Sequence, residues 1–325
     1  EMILSSDTPV STCKSMGLGM IGFSEALMRI NPDFLVVLGD RFESMSLVTS
    51  AMVCRIPVAH IQGGEMTQGA VDDHIRHCIT KMSYLHFVTT KEYYNRVVQL
   101  GEVPERVFNV GALNVDSMKK IKILPKNILE KKIGFRINQR TIIVTFHPIT
   151  LENNTSGKYF KDLLVAIDEI EHLRVIFTYT NADTEGRVIN DMINQYVEVN
   201  TDKAIGFPSL GQIRYISCLK YIGAVVGNSS SGVIETPTFK IPTVNIGDRE
   251  LGRVMARNII SCDQGIYSIK SAINKALSTD FKKSLSNMIN PYEKEDTAET
   301  IASVLSKTPI PSTIKKTFYD LNEIS

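Results

Sequence analysis

Asn31-Pro-Asp-Phe-Leu-Val-Val-Leu-Gly39, followed at once by Asp40-Arg-Phe-Glu43, joins a turn, an apolar run and a polar loop. The run from Phe34 to Leu38 shows no polar alternation. Alternation marks a strand with one wet face, whereas an unbroken run of this length suits a parallel strand covered on both faces. A helical stretch follows from Phe42 to Arg55. Pro57-Val-Ala-His-Ile-Gln62 is the next strand, stopped by Gly63-Gly64. The pattern continues with a helix over 72–83, a strand over 85–90, a helix over 91–101 and a strand over 107–111. Such alternation builds right-handed βαβ units and a doubly wound α/β layer.

The alternation then starts again. Residues 118–140 are rich in Lys and Ile and read as a helical connector. Beyond it come strands over 141–146, 173–179, 221–226 and 242–246, helices over 159–171 and 184–199, and a mostly helical segment over 266–307. The expected organisation is a Rossmann-like domain over 1–118, a second over 119–290, and a helical segment over 291–325 that crosses back. Ligands in such sheets bind outside the carboxyl ends of the strands, so two such domains are expected to share a cleft between them.

Composition narrows the function. The 325 residues carry 36 Lys+Arg against 35 Asp+Glu, a formal net charge of +1. That balance argues against a nucleic-acid binder, which needs a basic excess or stripe. No apolar run approaches the roughly 20 residues that span a bilayer. The five cysteines are odd in number and widely spaced, which points to reduced thiols in a cytoplasmic protein. No CxxC pair or HExxH occurs, so a zinc or other metal site is not expected.

Polar motifs follow the strands. Asp40, with Arg41 beside it, is either a cap for the next helix or a carboxylate aimed at a ligand. His60-Ile-Gln-Gly-Gly-Glu65 leads through a polar loop to Asp72-Asp73-His74-Ile-Arg76-His77. Asp72 and Asp73 suit a helix N-terminus on structural grounds alone. Proton transfer, however, needs acids and bases gathered in this way. Thr145-Phe-His147-Pro148 closes the first strand of the second half. Gly227-Asn-Ser-Ser-Ser-Gly232-Val-Ile-Glu235 joins a strand to a helix through small residues, which suits a phosphate bound by free N–H groups. A plain serine cap is the alternative. Gly247-Asp-Arg249-Glu-Leu-Gly-Arg253 adds two arginines that could neutralise a diphosphate.

In this order and spacing, GDRFE, HIQGGE, DDHIRHCITKMS, FHP, NAD, GNSSSGVIE and NIGDRELGR resemble the hydrolysing UDP-N-acetylglucosamine 2-epimerases. The resemblance runs from about Leu18 to Arg257 and implies two Rossmann-like domains of the glycosyltransferase-B type, the second binding UDP. It implies the conversion of UDP-GlcNAc and water to N-acetylmannosamine and UDP, or the same reaction on UDP-N,N′-diacetylbacillosamine. No cofactor is implied, and the partners are a UDP-sugar and further copies of the chain in a dimer or tetramer.

The implied catalytic residues are Asp40, Glu65, Asp72 and His147. Arg41, Gln62, Asp73, Arg76 and Asn181 fall to the sugar. Ser229, Ser230, Ser231, Gly232, Glu235, Arg249 and Arg253 fall to UDP. Two departures stand out: Gln62 occupies a position where several relatives carry a catalytic glutamate, and the family's opening strand with its Gly-x-Arg-Ala-Glu-like loop is not found here. A B-type glycosyltransferase would share the phosphate loop, and an inactive UDP-sugar-binding protein would suit the Gln62 departure.

Overall fold

Ten short strands, all parallel, alternate with helices in a computed structural model that describes residues 8–68, 70–148, 155–180 and 186–321. The chain divides into two compact units. One comprises Glu1–Thr67, Val71–Asp116 and Tyr292–Ser325; the other comprises Ser117–Pro291 with Gln68–Ala70.

The first unit is built on β1 (Leu35–Leu38), β2 (Val58–Ile61), β3 (Leu85–Val88) and β4 (Val107–Asn109), side by side in that order. Side chains alternate between the two faces of a strand. Leu35, Val37 and Val58 pack with Leu27, Val48, Ala51 and Ile79 from the helices Pro9–Ile30, Phe42–Val53 and Asp72–Met82. Ala59, Ile61, Leu85 and Phe87 pack on the opposite side with Ile301 of the helix Thr297–Lys307. One expectation fails at β1. Among the described residues it is the end strand of its sheet and buries only part of its apolar run; Val36 and Leu38 are 47% and 53% exposed.

The second unit has β5 (Thr141–Thr145), β6 (Arg174–Thr178), β7 (Ala204–Phe207), β8 (Ala224–Gly227), β9 (Thr243–Ile246) and β10 (Ile259–Cys262), in the order β10-β9-β8-β5-β6-β7. The order reverses between β5 and β8, so the loops after these strands leave in opposite directions and open a crevice. His147 follows β5 and Asn228 follows β8. The two backbones come very close here: a Cβ at Gly227 would lie 1.8 Å from the Thr145 carbonyl oxygen. Only glycine fits.

Several elements differ from the sequence reading. The connector is not one helix. A helix ends at Lys119, another runs Lys126–Ile133, and Pro125 and the left-handed Gly134 bound the latter. Proline lacks the N–H that would continue a helix through it, and left-handed glycine ends one. β7 and β10 were missed because Gly206 and Ser261 break their short apolar runs. The helices Pro9–Ile30 and Gly211–Leu219 were not expected either, the first because its glycines and serines dilute the apolar stripe. Among the described residues no helix is long and apolar enough to cross a membrane.

The segment after the last helix is tied to the first unit by a buried charge. Glu102 is 2% exposed. Its carboxylate accepts from Lys316 at 2.7 and 2.8 Å, from Lys81 at 2.9 Å and from His86 Nε2 at 3.0 Å. Lys316 also donates to the carbonyls of Lys81 and Ser83, both at 2.7 Å. Burial pushes the Glu102 carboxyl up, but the hydrogen bonds from His86, Lys316 and Lys81 outweigh it and hold its pKa at about 2.

A carboxyl depressed in this way stabilises the folded state above its ordinary value of 4.5, and that contribution is lost as the pH falls towards 2. The stability gap between the wild type and Glu102→Gln, measured by urea unfolding, is therefore expected to narrow steadily from pH 4.5 downward. A gap that stays constant with pH would contradict the assignment. At neutral pH the variant should cost about 3 kcal/mol, because it removes the charge that answers the mostly buried Lys316.

Candidate active site

In the first unit the polar loops at the strand ends converge on one guanidinium. Arg76 is 1% exposed and sits on the helix Asp72–Met82. It donates to the Glu65 carbonyl at 2.8 Å, to Asp73 Oδ1 at 3.1 Å, to the Thr67 hydroxyl at 2.9 Å and to Asp40 Oδ2. Asp73 Oδ1 also accepts the Thr67 N–H at 2.6 Å. A buried guanidinium must fill its donors, and this one does so by fixing three segments relative to each other.

Glu65 is 3% exposed, and its Oε1 accepts from the Thr89 hydroxyl at 3.0 Å. The Gly63-Gly64 turn before it is held by Arg96, which donates to the Gly64 carbonyl at 2.6 Å. Asp72 is the first residue of the helix and is half-buried, one position before Asp73. Arg41 lies 3.5 Å from Glu43, with its guanidinium against the Phe42 ring.

Gln62 takes a left-handed backbone at φ +67°, and its amide reaches Asn114 Oδ1 at 3.4 Å. For a residue other than glycine this conformation costs about 1–3 kcal/mol, and such strain gathers at working sites. Asn181 lies outside the described residues.

In the second unit Asn228 acts as a backbone mimic. Its Nδ2 donates to the His147 carbonyl at 2.8 Å and its Oδ1 accepts the His147 N–H at 2.7 Å. The His147 ring is oriented by a 2.9 Å bond between Nδ1 and the Thr180 hydroxyl. Ser229 stands at the N-cap position of a helix of five residues, Ser230–Ile234, without a side-chain capping hydrogen bond. A helix this short has little macrodipole, so the backbone N–H groups are the asset here. The Gly232 N–H bonds back to the Ser229 carbonyl at 3.0 Å.

Ser231 has its hydroxyl engaged: it donates to Glu235 Oε2 at 2.6 Å and lies 2.6 Å from the Tyr215 hydroxyl. Arg249 donates to the Asn228 carbonyl at 3.1 Å and to Glu250 at 2.6 Å, and Arg253 pairs with the same Glu250, which is fully buried. A cleft of 590 Å³ opens where β9 and β10 end, lined among others by Asn245, Asp248, Asp263 and Gln264. Of the expected UDP contacts, only Arg253 lines it.

Sequence reasoning passed over Thr67, Thr89, Asn228 and Glu250. Buried hydroxyls carry no pattern. Asn228 and Glu250 stand inside quoted motifs, where an amide set between glycine and serines, or a carboxylate between two arginines, is itself a signal.

Comparison with known proteins gives one family. A family model described as UDP-N-acetylglucosamine 2-epimerase matches residues 1–306. A Campylobacter jejuni protein named GDP/UDP-N,N′-diacetylbacillosamine 2-epimerase (hydrolyzing) is 42% identical over 87% of this chain and 73% of its own length. The Escherichia coli polysialic acid biosynthesis protein P7 is 36% identical over 95% of this chain and 79% of its own. The crystal structure of UDP-GlcNAc 2-epimerase from Neisseria meningitidis bound to UDP-GlcNAc superposes with a TM-score of 0.78 at 15% identity, covering 94% of this chain and 84% of that one. At that identity the likeness is one of fold, two Rossmann-like sheets of the glycosyltransferase-B type.

Arg76 sets the expected cost of dismantling the first cluster. Arg76→Leu leaves Asp40 and Asp73 without the cation they share, and should lower stability by about 3–5 kcal/mol in urea unfolding. Arg76→Lys cannot fork to several acceptors and should recover only part of this. Wild-type stability in the leucine variant would refute the account.

Proposed function

The chain belongs to the UDP-N-acetylglucosamine 2-epimerase family, and from that membership we propose that it is a hydrolysing 2-epimerase. It converts UDP-GlcNAc and water to N-acetylmannosamine and UDP. A carboxylate removes the C2 proton, the C1–O bond breaks, and UDP departs with the electron pair, leaving a 2-acetamidoglucal. Water then adds across C1–C2. The proton returns to C2 on the opposite face and hydroxide is added at C1, which inverts C2.

The observation that carries this reading is the Arg76 cluster, which gathers Asp40, Asp73 and the Glu65 backbone in one hydrogen-bonded set. Proton removal from carbon and its return to the other face call for more than one acid–base group. We assign these roles to Asp40, Glu65 and Asp72; Gln62, an amide, cannot serve as a base. Arg41, Asp73, Arg76 and Asn181 are assigned to holding the sugar, with Gln62 beside them.

The C2–H bond is weakly acidic, so the charge developing on UDP must be stabilised as it leaves. That work is assigned to His147, the loop of Ser229, Ser230, Ser231 and Gly232, and Arg249 and Arg253, with Glu235 on the ribose. Its geometric support is the Asn228 clamp that fixes His147 beside the serine loop. Five free thiols fit a cytoplasmic enzyme, and we expect it to act as a dimer or tetramer.

A second reading differs only in the sugar. The name of the Campylobacter relative, GDP/UDP-N,N′-diacetylbacillosamine 2-epimerase, favours N,N′-diacetylbacillosamine as the sugar, which carries a further acetamido group. Incubation with each UDP-sugar in D2O, followed by proton NMR, decides between them. The expected products are UDP and a free C2-inverted sugar bearing deuterium at C2. A product still linked to UDP, or transfer to an added sugar acceptor, would reject hydrolysis. Asp40→Asn is expected to lower kcat by about 10²–10⁴-fold, the usual contribution of one acid–base group, with UDP affinity unchanged.

A further inference from the structure

His60 touches the Asp40 loop, the Glu65 turn and the Arg76 helix together. It lies on β2 with no exposed surface. Its Nε2 is 3.0 Å from the Gly39 carbonyl oxygen. Its Nδ1 is 3.1 Å from the Thr80 hydroxyl. A carbonyl can only accept, so Nε2 carries the proton and Nδ1 accepts from Thr80.

Gly39 immediately precedes Asp40, and its own N–H is bonded to the Ile61 carbonyl at 3.1 Å. The N–H and the C=O of Gly39 are therefore both taken by β2 residues. Thr80 lies on the helix that carries Asp73 and Arg76. On the third side, a Cβ at Gly63 would stand 2.9 Å from the Thr80 hydroxyl oxygen and 3.0 Å from His60 Nδ1. The turn leading to Glu65 thus rests directly on the His60–Thr80 pair.

We infer that His60 is a positioning residue, whose buried ring sets the orientation of Asp40 relative to Glu65 and Arg76. This rests on the acid–base reading of those carboxylates. Burial lowers the His60 pKa to about 3, against the smaller opposing pull of the Gly39 carbonyl. The ring therefore stays neutral wherever a carboxylate can act as base. It keeps one tautomer and donates no proton to the reaction.

The test uses the full chain and whichever UDP-sugar it turns over. His60→Leu, His60→Gln, Thr80→Val, Asp40→Asn and Glu65→Gln are compared for kcat, KM, UDP affinity and thermal midpoint. A misplacement of about 1 Å costs roughly 10²-fold in rate. His60→Leu should therefore lower kcat by about 10²-fold while KM and UDP affinity change less than about threefold. His60→Gln can put an amide N–H near the place of Nε2–H and should recover kcat to within about tenfold of wild type. Thr80→Val keeps the shape, removes the donor to Nδ1, and should fall between.

If His60→Leu does not fold, Thr80→Val decides, and an unchanged kcat there overturns the inference. It is equally overturned if His60→Leu retains kcat while Asp40→Asn is inactive. A loss shared by kcat, KM and thermal midpoint without rescue by glutamine would make His60 merely structural. If Asp40→Asn and Glu65→Gln both turn over normally, the acid–base reading itself is what has failed.

Discussion

A guanidinium that is 1% exposed is the constraint on which the polar half of the first unit depends. Arg76 cannot shed its charge, so every donor it buries must meet an acceptor. It finds them on the loop after β1, on the loop after β2 and on its own helix. Two of the acceptors are carboxylates, each of which would be costly to bury alone. The cation makes their approach tolerable, and they in turn make its burial tolerable. The cluster is mutually dependent: removing one member strands the others.

The same logic explains the difference between the two units. In the first, acidic and basic side chains meet, and the geometry is set by long side chains reaching across loops. In the second, the reversal of strand order between β5 and β8 does the positioning. Gly227 lets the two backbones close up, and Asn228 satisfies both the N–H and the C=O of His147. Glu250 offsets the charge of Arg249 and Arg253 from a fully buried position. Those arginines are thus held in place and partly neutralised by the protein itself.

The alternation of strand and helix was legible because unbroken apolar runs such as Phe34–Leu38 and Thr141–Phe146 are long enough to stand out. β7 and β10 were not, because Gly206 and Ser261 interrupt their apolar residues and both strands are only partly buried. The exposure of Val36 and Leu38 could not be read either, since edge or centre is a property of sheet order and not of the strand itself. Among polar residues, Asp40, Glu65, Asp73 and Arg76 drew attention as a charge-rich series after strands. Thr67 and Thr89 did not, because a hydroxyl gains importance only from what lies beside it.

His60 shows why that boundary falls where it does. In sequence it is a histidine inside an apolar strand, and its neighbours Ala59 and Ile61 mark it as interior without saying what it does. Its significance comes from β2 lying next to β1, which brings Gly39 to Nε2, and from the helix beyond, which brings Thr80 to Nδ1. Both relations span about 20 residues or more, and no local pattern encodes them. A neutral imidazole suits this place because it offers one donor and one acceptor, rigidly opposed, on a ring thin enough to lie beneath a glycine turn. A lysine would bring a fully desolvated charge close to Arg76, and an apolar residue would leave the Gly39 carbonyl without its donor. The demand on residue type at this buried position thus comes from the loops above it, which is how a group with no access to solvent enters the chemistry of those that have it.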